Sequence, residues 1–117
     1  FDRGFVTYSN AAKADMLGVS DSTLARHGAV SEAVARAMAQ GVLTHSRADW
    51  SVAITGIAGP SGGSPETPVG TVFMGCYCAG KTTVREFHFE GDRKSIRDQA
   101  VDQALTFICD RLRKYDR

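Results

Sequence analysis

Apolar positions recur along this chain with two different periods, and the alternation between them divides it into helices and strands. Gly4-Phe5-Val6-Thr7-Tyr8-Ser9 is β-branched and aromatic and predicts a strand. Asn10 can then cap a short helix from Ala11 to Leu17, which Gly18 closes. Ser20 caps a helical turn from Asp21 to His27, with Val19 and Leu24 spaced as a hydrophobic staple and Gly28 as its stop. Ser31 caps a longer helix from Glu32 to about His45, where Val34, Met38 and Val42 make one stripe with Ala35 beside it.

The second half opens with two apolar runs that read as buried strands, Ser51 to Thr55 and Gly70 to Cys78. Ala79-Gly80-Lys81 is short enough for a hairpin into Thr82 to Glu90, which alternates Phe87 and Phe89 on one face with Glu86, His88 and Glu90 on the other. That pair is expected to be antiparallel, with one face wet. Asp92 caps the last helix, whose predicted buried stripe is Ile96, Ala100, Ala104, Ile108 and Leu112, supported by Val101, Leu105 and Phe107. This order predicts an α/β, three-layer-like sandwich: a mixed β-sheet flanked by helices, in one domain over residues 1–117.

Composition narrows the function classes. The 117 residues are 43% hydrophobic and 23% charged, with a formal charge of +1, so no charge excess draws the chain toward nucleic acid or a membrane surface. No apolar run approaches the roughly 20 residues of a spanning helix, and no signal peptide is visible, which makes the cytoplasm the expected location. Cys76, Cys78 and Cys109 sit inside apolar segments and read as buried free thiols. The histidines are scattered, so no metal site is predicted. The chain begins at Phe1 without a Met, inside what looks like the lead-in to a strand, and reads as a fragment.

Candidate chemistry gathers at two places. The first is Gly56-Ile57-Ala58-Gly59-Pro60-Ser61-Gly62-Gly63-Ser64 between the two apolar runs. Glycines at that density leave backbone N–H groups free to face one anion, a phosphate or a carboxylate, although the same composition also serves as a plain turn. The spacing is neither a Walker loop nor a dinucleotide fingerprint. The second is Lys13, in the first turn of the first helix, where the positive end of the helix dipole favours the neutral amine. Tyr8 stands close by at the strand end, and Arg93 lies in the first turn of the last helix, where a cation serves an anion or is simply solvated.

Taken together, Phe1 to Lys13, His27-Gly28-Ala29-Val30-Ser31, Gly56 to Pro60 with Gly62-Gly63, Pro68 to Val72, and Gly91-Asp92-Arg93 resemble the CinA C-terminal domain family along essentially the whole chain. In that family the same domain also occurs alone as a bacterial nicotinamide-nucleotide amidohydrolase. The resemblance implies hydrolysis of nicotinamide mononucleotide to nicotinate mononucleotide and ammonia, with no cofactor and no metal, by a serine nucleophile and a lysine base that matches Lys13. Tyr8 would orient or relay the proton. Asn10, Thr55, Gly56, Ala58, Gly59, Ser61, Gly62, Gly63 and Arg93 are the substrate-binding candidates. The implied partner is a small nucleotide, with a homo-oligomer expected and neither nucleic acid nor membrane involved. The family's serine belongs to a Glu-Ser-Cys-Thr-Gly-Gly segment, which this sequence does not contain. The expectation is therefore a domain short of its first helix and one strand. The alternative is a catalytically silent nucleotide-binding or assembly domain.

Overall fold

The computed structural model describes residues 1–115, in the order α1 (Asn10–Leu17), α2 (Asp21–His27), α3 (Glu32–Thr44), β1 (Ser51–Gly56), β2 (Thr71–Cys78), β3 (Lys81–His88) and α4 (Arg93–Tyr115). The strands form one sheet in the order β1-β2-β3, antiparallel at both junctions, with Ala53 opposite Gly75 and Met74 opposite Arg85. A two-residue turn joins β2 to β3. Ala79 and Gly80 both have positive φ there, 53° and 79°, which matches the right-handed twist of the flanking strands.

Side chains alternate across the sheet, so each strand feeds two cores. On one face Ala53 packs with Val34, Met38 and Ala39 of α3 and with Leu17, Val19 and Leu24 from the α1–α2 region. On the other, Val72, Met74 and Cys76 pack against Ala104 and Phe107 of α4. The α/β class and the helical layers on both faces are thus as the sequence predicts. α3 approaches the sheet very closely at Gly75, where a Cβ would sit 2.6 Å from the Ala35 carbonyl oxygen. Two hydroxyls of β1 point to the same layer: Ser51 Oγ donates to the Ala39 carbonyl and Thr55 Oγ1 to the Ala29 carbonyl, each at 2.7 Å.

Five expectations need correcting. Gly4–Ser9 is not a strand. Its alternation persists, with Phe5 and Thr7 half-buried and Val6 and Tyr8 exposed, but a strand needs a ladder partner, and a groove of about 1080 Å3 separates this segment from β1. Among the described residues the sheet is therefore antiparallel rather than mixed. The cap of α1 is Ser9, not Asn10: the Ser9 hydroxyl accepts from the Ala12 amide at 3.0 Å, and Asn10 becomes the first helical residue. On α4, Val101, Leu105 and Leu112 are exposed. A row spaced by four drifts about 40° per step around a 3.6-residue helix, so Ile96, Ala104 and Phe107 face the sheet and the end of the row has turned away from it. Cys109, two residues beyond Phe107, is carried outward by the same rotation, while Cys76 and Cys78 are buried.

The α3–β2 contact at Gly75 yields a direct check. Gly75→Ala forces backbone against backbone and is expected to lower stability by about 1–3 kcal/mol, read as a lower denaturant midpoint at unchanged slope. A Gly80→Ala control meets nothing within 4 Å and carries only the strain of its positive φ.

Candidate active site

α1 turns only two residues inward, Lys13 and Leu17, one helical turn apart. Leu17 takes the place an apolar residue should have. Lys13 does not: it is 7% exposed, at a position where the pattern calls for a hydrocarbon. Its Nζ donates to the Thr7 carbonyl at 2.9 Å, and no carboxylate among the described residues pairs with it. Burial pushes the ammonium below the usual lysine range. A buried amine with no counter-ion costs folding energy, and such groups gather at functional sites. The chain reaches this arrangement because Ser9 caps the helix, which fixes Lys13 as the fourth helical residue and folds the Thr7 carbonyl back over it.

The glycine-rich loop is a folded object. The Ile57 amide donates to the Thr71 carbonyl and the Gly70 amide to the Ile57 carbonyl, closing its neck at 3.0 and 2.7 Å. Ser64 and Thr67 exchange a second pair of bonds near its tip. Val69 lies so close that a Cβ on Gly59 would meet its Cγ1 at 2.6 Å. Gly59 also has φ of 78°, so two independent constraints select glycine there. Arg93 reaches across from the first turn of α4 and donates to the Gly59 carbonyl at 3.0 Å. The amides of Ala58, Gly59, Ser61, Gly62 and Gly63 have no protein acceptor among the described residues, so they are the donors this loop offers an anion.

The structure thus brings Arg93 to the glycine loop, and it buries Lys13 beside Thr7. Thr55, the last buried residue of β1 before that loop, ties the strand end to the segment after α2 through its bond to Ala29, so its hydroxyl is committed. Tyr8 is 93% exposed and forms no hydrogen bond among the described residues. Asn10 is exposed on the first turn of α1, and Ser61 is exposed in the loop. Thr7 was missed by sequence reasoning, because its contribution is a carbonyl, which side-chain chemistry does not announce. No three His, Cys, Asp or Glu side chains gather as a metal site among the described residues, and no described helix is long and apolar enough to cross a membrane.

Residues 1–112 match the CinA C-terminal domain. The chain belongs to that family. This CinA C-terminal domain is 57% identical over 106 residues to nicotinamide-nucleotide amidohydrolase PncC of Escherichia coli K12, an alignment covering 90% of the chain and 64% of the relative. It is 53% identical over 108 residues to a CinA-like protein of Syntrophobacter fumaroxidans, covering 92% of the chain and 26% of that protein. Among solved structures, the competence/damage inducible protein CihA from Agrobacterium tumefaciens superposes with a TM-score of 0.90 at 48% identity, covering 92% of the chain and 67% of CihA. The chain therefore spans a little under two thirds of the length of the PncC relatives it matches.

Burial of Lys13 makes its own stability prediction. The folded chain releases the Lys13 proton below the unfolded value of about 10.4, so between the two the unfolded state holds more protons and stability rises with pH. The rise has a limiting slope of about 1.4 kcal/mol per pH unit for one proton. In Lys13→Met this component is expected to vanish from unfolding free energies measured across that window; parallel curves for the two proteins would place the amine in solvent.

Proposed function

We propose that this chain is the lysine-bearing part of a nicotinamide-nucleotide amidohydrolase, converting nicotinamide mononucleotide to nicotinate mononucleotide and ammonia. The observation that carries the reading is the Lys13 amine, buried without a carboxylate and turned toward its neutral form, in a chain 57% identical to PncC. A neutral amine is a base, and a base is what a serine hydroxyl needs to attack a carboxamide near neutral pH.

In this reaction the serine oxygen bonds to the carboxamide carbon while Lys13 takes the hydroxyl proton. The tetrahedral intermediate collapses, the carbon–nitrogen bond breaks, and the nitrogen leaves as ammonia with the proton that Lys13 returns. Water then attacks the acyl–serine ester, Lys13 again accepting a proton; the ester carbon–oxygen bond breaks, Lys13 returns the proton to the serine oxygen, and the nicotinate product leaves as its carboxylate, its acidic proton going to solvent. Neither serine considered on this chain suits the role: the Ser9 hydroxyl is engaged as the α1 cap, and Ser61 lies exposed in the glycine loop. The nucleophile is instead assigned to the Glu-Ser-Cys-Thr-Gly-Gly segment of the family. The free amides of Ala58, Gly59, Gly62 and Gly63, with Arg93 behind them, are assigned to the nucleotide phosphate or the oxyanion, and Tyr8 and Asn10 to orienting substrate beside Lys13. The absence of the nucleophile's segment from the sequence favours a second reading for the 117-residue chain by itself, a domain that binds the nucleotide and does not turn it over.

Ammonia release from nicotinamide mononucleotide separates the two, measured on the chain alone and on the chain extended at Phe1 by the segment of the E. coli relative that has no counterpart here. The extended form is expected to turn over, with kcat/KM rising as pH climbs through the lowered Lys13 pKa, because only the deprotonated amine is competent. Lys13→Met should lower its kcat by about 10²–10⁴-fold. The unextended chain should bind nicotinate mononucleotide in calorimetry and release no ammonia. An undiminished rate in Lys13→Met removes the lysine from the mechanism.

A further inference from the structure

The segment that carries β3 into α4 holds the glycine loop by both of its arms. On the arm that returns to β2, the Phe89 amide donates to the Gly70 carbonyl at 2.8 Å, and a Cβ on Gly70, whose φ is 95°, would run into the Phe89 carbonyl. On the arm that leaves β1, Arg93 Nη1 donates to the Gly59 carbonyl at 3.0 Å. Gly59 is buried, and that guanidinium is the only donor to its carbonyl among the described residues. The segment is itself fixed: Gln99 Nε2 donates to the Glu90 carbonyl at 2.8 Å, and Asp92 caps α4 through the Ser95 amide at 2.9 Å.

Arg93 also brings a full positive charge that no carboxylate among the described residues pairs with. Only Nη1 of its guanidinium has an acceptor there, and the residue stands in the first turn of α4, at the positive end of the helix dipole. A cation held against that dipole, beside the free amides of Ala58, Gly59, Ser61, Gly62 and Gly63, is an arrangement that an anion relieves. The number of donors decides which anion. An oxyanion takes about two donors and a carboxylate has about four lone-pair sites, fewer than these amides and a guanidinium supply. A phosphate monoester brings three terminal oxygens and close to two charges, and arginine pairs with it through parallel N–H bonds.

We propose that Arg93 builds a phosphate site: Nη1 holds the Gly59 carbonyl and so sets the loop, while its other N–H groups and the amides of Ser61, Gly62 and Gly63 take the phosphate monoester of the substrate. This narrows the role of the loop to the phosphate alone and leaves the carboxamide to the Lys13 end. It rests on the amidohydrolase reading for the rest of the substrate.

Two ligands that differ only by the phosphate test it: nicotinate mononucleotide and its riboside, each titrated into the 117-residue chain by calorimetry. The mononucleotide is expected to bind more tightly. Arg93→Met should weaken its binding about 10–100-fold and leave the riboside unchanged. Arg93→Lys should regain part of the loss, because an ammonium keeps the charge without the planar fork. In Arg93→Met the Ile57 amide, bonded to Thr71, should exchange faster while the β2–β3 amides stay protected, which locates the change in the loop with the sheet intact. Equal affinity for the two ligands in the unaltered chain, or binding of neither, overturns the proposal. So does an Arg93→Met chain that weakens both alike, which is the mark of a purely structural tie, and unchanged Ile57 exchange overturns the part assigned to Gly59. The amidohydrolase reading fails separately: absent ammonia release from the extended form defeats it and leaves the phosphate comparison standing.

Discussion

The structure depends on β2 being buried on both faces and paired on both edges. Six of its eight residues are buried, a density that a two-layer arrangement with one wet face does not produce. That constraint dictates what lies above and below. On one side Gly75 admits the backbone of α3 to near contact. On the other Phe107 is wholly buried, with the Arg85 guanidinium 4.3 Å over its ring and held from behind by Asp110 at 3.5 Å. β1 and β3 are then edges, and their fates differ. β3 exposes Lys81, Glu86 and His88, side chains that suit an edge facing water, and α3 ties it down where Arg36 donates to the Thr82 carbonyl. β1 has no such protection: it presents Ile54 and an apolar groove.

The same asymmetry explains the position of the lysine. The segment that forms the far wall of the groove ends at Ser9, whose hydroxyl starts α1, and the first inward residue of α1 is Lys13. The amine is therefore placed one helical turn beyond the end of that segment. Thr55 makes the corresponding statement from β1, since its hydroxyl bonds Ala29 just before α3 begins.

Local chemistry in the sequence specified most elements. Ser20, Ser31 and Asp92 cap their helices as their positions predict, each accepting an amide from three residues on, and the period-2 alternation of β3 gives the observed faces, with Phe87 stacked on Phe89. Where the reading failed, the missing information was not local. Whether Gly4–Ser9 forms a strand depends on a neighbour, and composition cannot supply one. Whether Asn10 or Ser9 caps α1 depends on which oxygen reaches the third amide, and both side chains are competent caps. The α4 stripe was read one helical row too far because spacing by four looks apolar well past the point where the helix has rotated off the sheet. At the site, Lys13 and Arg93 were legible as cations in first turns, yet the Thr7 carbonyl and the self-packed glycine loop belong to the backbone and leave no trace in side-chain pattern.

These failures share a direction. Val6 and Tyr8 are exposed where the sequence has strand-forming residues, and Val101, Leu105 and Leu112 are exposed where the helix carries apolar ones. Scattered single exposures of this kind are ordinary on a protein surface, and of these residues Val6 and Tyr8 line the groove beside β1. Which apolar side chains are covered depends on the neighbours that reach them, and the local period of the sequence does not carry that information.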